Sequence, residues 1–437
     1  MLRLEPQVLE RLFHLKAHGT DLKTEVIAGI TTFLTMAYII VVNPAMLSAA
    51  GMDYGAVFAA TCLAAAIGSL IMGVFANYPI ALAPGMGLNA FFTYTVVGQM
   101  GHSWQVALGA VFLSGFLFFL LSIFRIREWI INSIPQSLRM GIAAGIGLFL
   151  ALIALHNSNI IVANPATLVT LGDVKAPETL LTAAGFVLIC ALAARRVMGA
   201  VMIGIIAITV VGLLLGMVEY RGFVSAPPSL APTFMQMDLR GALDVGLLSI
   251  IFAFLFVDLF DTSGTLIGAA QRGNLLDKDG NLPRLGRALM ADSTATMAGA
   301  ALGTSTTTSY IESTAGIVAG GRTGLTAVVV AVLFILALFF APLASMVPAF
   351  ATAPALLYVA ALMTSGLARI DWEDITDAAP ALVTALGMPL AFSIAHGIAL
   401  GFIVYVAIKL ASGRWHQLNA ALLVIAALFV LKFAFLS

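Results

Sequence analysis

Charge is what this chain has least of. Only 10% of its 437 residues are Asp, Glu, Lys or Arg, against ~25% in a soluble chain. From Tyr54 to Phe124 there is none at all. With 61% hydrophobic residues, the chain has far more apolar surface than a water-soluble fold can hide, so an all-α polytopic membrane protein is expected. The short alternating segments of a membrane β-barrel are also missing. Formal net charge is zero, so nothing suggests a nucleic-acid partner. Cysteine is nearly absent: Cys62 and Cys190 stand alone in apolar runs, which excludes a disulfide framework and a cysteine metal site. The first 23 residues lack a short apolar core followed by a cleavage site, so no removable signal peptide is expected.

What the chain does have is long apolar runs. A helix crosses the hydrocarbon layer with about 20 apolar residues. Fourteen candidates are read at 25–50, 56–76, 80–97, 104–124, 137–157, 179–195, 197–217, 244–270, 287–303, 305–320, 324–346, 352–368, 376–391 and 393–411. A further apolar stretch, 417–436, either crosses or lies against the bundle. Basic residues set the orientation. They fall in the N-terminal segment, at Arg125, Arg127 and Arg139, at Arg195 and Arg196, between Arg272 and Arg287, and at Arg322, Arg369, Lys409 and Arg414. Each cluster after the N-terminal one follows an even-numbered candidate, so residues 1–23 are expected in the cytoplasm, with the chain in the cell (plasma or inner) membrane.

The Pro-rich stretch 222–243 divides the chain into 24–221 and 244–411, with seven candidates in each part and 412–437 beyond them. Seven is odd, so the halves have opposite orientation: a 7+7 inverted repeat, common among secondary transporters. The third candidate of each half is a poor membrane helix. In "ANYPIALAPGMGLNAFFTY", Pro79, Pro84, Gly85 and Gly87 should break the helix and leave a half-helix starting near Gly87. "LGTSTTTSYIESTAGI" is too polar to face lipid. Unwound backbone survives at membrane depth only where it is buried or lines a cavity, and matched breaks point to a substrate site.

Four acids interrupt the apolar runs. Asp258 and Asp261 lie three apart, on one helix face, in "FVDLFDTSGTL"; a charge at the bilayer centre costs at least ~2.5–3.5 kcal/mol. Asp292 lies just inside the ninth candidate, either pairing with Arg284 or Arg287 or serving a proton path. Glu312 follows six hydroxyl residues, Thr304–Ser309, in the second break. Asn89 follows the first, where its amide could both donate to and accept from a flat heterocycle. Phe91, Phe92, Tyr94 and Tyr310 stand beside the breaks and Thr308 within one; most aromatics there pack, and one could stack on a ligand. His156 and His396 are weaker candidates.

Acids without an arginine disfavour an anionic substrate. A carboxylate accepts paired N–H groups, and a purine offers such edges and a flat face. The expected substrate-binding residues are Asn89, Phe91, Asp258, Thr308, Tyr310 and Glu312, with Asp261 and Asp292 carrying the coupling proton. No metal or other cofactor is expected. The alternatives are a carrier of a pyrimidine, xanthine or anion, and an intramembrane aspartyl enzyme. The last is disfavoured because both aspartates sit on one helix, whereas a dyad needs opposed carboxylates.

"PGMGLNAFF", "VDLFDTSGTL" and "GTSTTTSYIESTAGI", with "TEVIAGITTFLTMAYIIVVNP" and "SIAHGIALGFIVY", resemble the AzgA-like purine permeases of the nucleobase–ascorbate transporter superfamily, over about Lys23 to Leu436. The resemblance implies a core of helices 1–4 and 8–11 and a gate of helices 5–7 and 12–14. It also implies proton-coupled uptake of adenine, guanine or hypoxanthine, and often a homodimer formed through the gate. The family's substrate site is formed by the third, eighth and tenth helices, which maps onto Asn89, Asp258 with Asp261, and Glu312; Asp292 corresponds to a further functional acid.

Overall fold

The computed structural model describes residues 6–123, 134–243, 248–278 and 282–435; Arg125 and Arg127 of the orientation argument lie outside them. Fourteen membrane segments follow one another in a 7+7 inverted repeat. Among the described residues nine helices are long and apolar enough to cross a membrane. The other five segments are the two interrupted ones, the short helices Ala200–Leu214 and Ile375–Leu390, and Leu285–Leu302, the ninth segment, which carries Asp292. These five need not face lipid along their whole length, and the ninth is packed between the second and fourth segments.

The first segment is bent. Helix Leu22–Met36 starts at Asp21, whose side chain accepts from Thr24 N at 2.8 Å, and a turn at Ala37–Tyr38 leads into helix Ile39–Ser48, which contains Pro44. Inside that second helix Pro44 has no N–H to give to the Ile40 carbonyl. Glu25 in the first turn is fully buried but has a structural task. Its carboxylate accepts from Arg322 N at 2.8 Å, Thr323 N at 3.1 Å and Thr326 N at 3.1 Å. It therefore satisfies orphan donors at the start of the eleventh segment.

Helix packing sorts the segments into two bodies. The ninth segment packs on the second and fourth, and the eleventh on the first and second. Separately, the twelfth and thirteenth pack on the fifth, and the fourteenth on the thirteenth. These are the core and gate domains. Helix Ala420–Phe435 lies against the fourteenth segment, with Leu422 and Ala426 buried and Phe429 against Phe402 at 6.0 Å.

Candidate functional site

Among the described residues there are four short strands: β1 (Leu82–Pro84), β2 (Ile161–Asn164), β3 (Leu168–Leu171) and β4 (Thr307–Ser309). The β2–β3 hairpin belongs to the loop after the fifth segment. β1 and β4 are the broken parts of the third and tenth segments, and they pair antiparallel, with Ala83 opposite Thr308. Gly85 N donates to Thr306 O at 2.8 Å and Tyr310 N to Ala81 O at 2.9 Å. Each break thus satisfies the backbone groups that the other cannot place in a helix. A helix then leaves each strand: Met86–Ala90, continued as a wide π-helical stretch Phe91–Gln99, and Ser313–Val318. Glycine is required at Gly85, where a Cβ would meet the Thr308 methyl at 2.7 Å.

Around this strand pair the acids occupy two environments. Asp258 and Asp292 are closed in. Asp292 accepts from Ser309 N and Oγ, each at 2.9 Å, and from Thr262 Oγ1 at 2.8 Å, so it joins the eighth, ninth and tenth segments. Asp258 accepts from Thr296 Oγ1 at 3.3 Å. Thr308, predicted for the substrate, is also buried, with its hydroxyl 2.6 Å from Thr262 Oγ1.

Glu312 and Asp261 are only partly buried. Tyr38 OH donates to Glu312 Oε1 at 2.6 Å. Asp261 carries no hydrogen-bond partner among the described residues, and it is within electrostatic reach of Glu312 and Asp292. The ion pairs Lys409–Asp377 (3.0 Å) and Arg414–Asp374 (2.5 Å) lie elsewhere, at the start of the thirteenth segment.

The remaining predicted residues line the third and tenth segments. Asn89 is fully buried; its Nδ2 donates to Asn43 Oδ1 at 2.6 Å and its Oδ1 accepts from Ser305 Oγ. Phe91 is buried edge-on to Phe254, with centroids 4.9 Å apart, and Phe92 is buried too. Tyr310 OH donates to Pro84 O at 2.6 Å. Tyr94 OH accepts from Asn157 Nδ2 at 2.9 Å. His156 is exposed at the C-terminal end of the fifth segment, and His396 lies beside Phe433. Among the described residues no cluster of three or more metal-ligating side chains forms.

Sequence reasoning missed Tyr38, Asn43, Thr262 and Thr296. Asn43 carried a signal: an amide before a proline in an apolar run needs partners. It has them, donating to Thr61 Oγ1 at 2.7 Å and Thr304 Oγ1 at 2.9 Å.

The geometry is that of a carrier site: paired helix breaks, buried amides and hydroxyls, and two partly buried carboxylates. A family model, Xan_ur_permease, described as "Permease family", matches residues 23–400. The chain is 52% identical over 429 residues to the adenine permease AdeP of Escherichia coli, covering 98% of this chain and 96% of the relative. It is 46% identical over 440 residues to the guanine/hypoxanthine permease PbuG of Bacillus subtilis, covering 98% and 100%. Its fold is similar to the transmembrane domain of the cyanobacterial bicarbonate transporter BicA, with a TM-score of 0.66 at 16% identity, covering 87% of this chain and 97% of that one. The likeness to BicA carries the fold alone; the sequence matches go further, and the chain belongs to the permease family, as a multi-pass membrane transporter and not an enzyme.

Proposed function

We propose that this permease imports purine nucleobases (adenine, guanine or hypoxanthine) across the cell membrane in symport with protons, with its N-terminus in the cytoplasm. One observation carries the reading of the site: two partly buried carboxylates, Glu312 and Asp261, stand beside the paired helix breaks. A carboxylate accepts N–H groups and does not welcome an anion, which favours a neutral base with N–H edges. The close similarity to adenine and to guanine/hypoxanthine permeases supports the same substrate class.

The sequence reading put Asp258 on the substrate and Asp261 on the proton. Exposure supports the exchange of those two roles. Asp261 has no hydrogen-bond partner among the described residues, whereas Asp258 is shut behind Thr296. In this reading Glu312 and Asp261 receive the N–H edge of the base. Asp258 and Asp292 form the acid pair behind them, where a proton can be held. Asn89, Phe91, Thr308 and Tyr310 shape the site from behind, through Asn43, Phe254, Thr262 and Pro84.

The test is uptake of labelled adenine, guanine and hypoxanthine in cells that lack their own purine permeases, with and without a protonophore. Accumulation of at least one base, collapsed by the protonophore, is expected. Glu312→Ala and Asp258→Ala should abolish uptake at normal membrane abundance, and Asp261→Ala should raise KM. Accumulation that ignores the protonophore removes the proton from the mechanism. Normal uptake by the Glu312 variant removes the site.

A further inference from the structure

We infer that the first segment is a working part of the substrate site: Tyr38 positions the Glu312 carboxylate and holds it as a hydrogen-bond acceptor, so that the ligand edge facing it must be an N–H donor. The inference rests on the reading of Glu312 as a substrate-binding residue. Tyr38 stands at the turn between the two helices of the first segment and is 2% exposed. Its hydroxyl donates to Glu312 Oε1 at 2.6 Å, a charge-assisted distance. One turn earlier, Thr35 gives its hydroxyl proton to Thr32 O at 2.7 Å and only neighbours the Glu312 carbonyl, at 3.4 Å. The glutamate is thus held at its carboxylate by the neighbouring first segment.

The half-helix after Glu312 is tied to the same segment. A Cβ on Gly316 would collide with Thr32 Oγ1 and the Ala28 carbonyl. That close fit leaves the tenth segment little freedom to move relative to Tyr38.

A phenol O–H pointing at one carboxylate oxygen has a definite chemical consequence. The proton donated by Tyr38 favours the ionised carboxylate, and an ionised carboxylate has only acceptors to offer. A base presenting a ring nitrogen without hydrogen would find acceptor against acceptor. A base presenting N–H would complete the shell. With the phenol holding it, Glu312 is also ordered before the ligand arrives, which lowers the entropic cost of binding.

The test compares uptake kinetics of wild type and Tyr38→Phe, normalised to the amount of protein in the membrane. The variant keeps the ring and its packing and loses only the donor. Loss of one charge-assisted hydrogen bond corresponds to about a 10-fold change. The expected result is therefore a KM for adenine, guanine or hypoxanthine raised about 10-fold with Vmax within twofold of wild type. Discrimination against the same base methylated at its N–H edge should shrink in parallel. A purely structural role would lower abundance or Vmax and leave KM and discrimination unchanged, and that result would overturn the inference. If Tyr38→Phe does not reach the membrane, Glu312→Gln serves: it keeps the shape and offers the ligand an N–H donor, so a KM raised at least ~10-fold with discrimination lost is expected, and an unchanged KM and discrimination overturn the inference. The wild-type arm keeps the two readings apart. Absence of purine uptake by wild type sinks the proposed function, whereas wild-type uptake with an indifferent Tyr38→Phe sinks only the role of the first segment.

Discussion

Thr262 shows how much a single hydroxyl carries here. Its Oγ1 lies 2.8 Å from Asp292 Oδ2, 2.6 Å from Thr308 Oγ1 and 3.5 Å from Asp258 Oδ1. A hydroxyl has one proton to give. The shortest carboxylate contact takes it, so Thr308 must donate to Thr262 in turn. Replacement by valine keeps the shape and deletes this relay, leaving a buried carboxylate short of a donor. The cost of such a loss is about 1–3 kcal/mol. Thr262→Val should therefore lower the unfolding midpoint of the purified protein by a few degrees and reduce uptake. An unchanged midpoint, measured by a thermal-shift assay in detergent, would show that the hydroxyl is dispensable. Of the residues in this network, sequence reading found the acids and Thr308 and missed Thr262 and Thr296. A carboxylate in an apolar run is costly wherever it points, so it is visible from composition. A threonine there reads equally well as one that bonds its own helix. Glu25 marks the limit of the same logic, being an acid in a membrane helix that caps a distant segment.

At the scale of elements, the breaks were legible and their pairing was not. Pro84, Gly85 and the run Thr304–Ser309 announced two interruptions. That these meet as antiparallel strands, with Pro84 opposite Thr307, depends on packing between halves of the chain. The half-helix Ser313–Val318 should be the element most sensitive to volume. A methyl group at Gly316 has main chain in its way, the Ala28 carbonyl, and backbone cannot rotate aside. Gly316→Ala is expected to cut uptake at least 10-fold, because separating the tenth segment from the first by even half an ångström shifts Glu312. Uptake within twofold of wild type would mean that this fit is looser than it looks.

A second element prediction concerns the start of the thirteenth segment. There Asp374 accepts from Thr376 N at 3.0 Å and Oγ1 at 2.7 Å and pairs with Arg414. The Thr376 hydroxyl and N–H, with the Arg414 guanidinium, draw its carboxyl down to about 2. A depressed carboxylate stabilises the fold above its ordinary range near ~3.9 and loses that effect only as pH falls toward its folded value. Asp374→Asn should therefore lower the thermal midpoint equally at pH 5 and pH 8. A deficit that disappears at pH 5 would contradict the assignment.

For the whole molecule, the question is what holds core against gate. Tyr94 OH in the third segment accepts from Asn157 Nδ2 in the fifth at 2.9 Å. Beside it Thr95 Oγ1 donates to Phe392 O at 3.2 Å, and the Phe392 ring meets Phe149 edge-on at 5.2 Å. In the proposed orientation all of these lie on the outer side. They tie the third segment to the fifth and to the turn before the fourteenth, and we expect them to act as a clasp that must break for the site to open outward. One hydrogen bond contributes about 1 kcal/mol, which changes a two-state ratio roughly fivefold. Asn157→Ala should enlarge the outward-open population by about that factor. A cysteine at Val42, which lines the small cavity beside the clasp, would report it in a Cys62→Ala, Cys190→Ala background. Its labelling by a membrane-impermeant maleimide should quicken severalfold in the Asn157 variant, and excess purine should reverse the change if the base favours closure. Equal labelling rates in the two proteins would show that the clasp does not govern access, and that the core moves against the gate on other contacts.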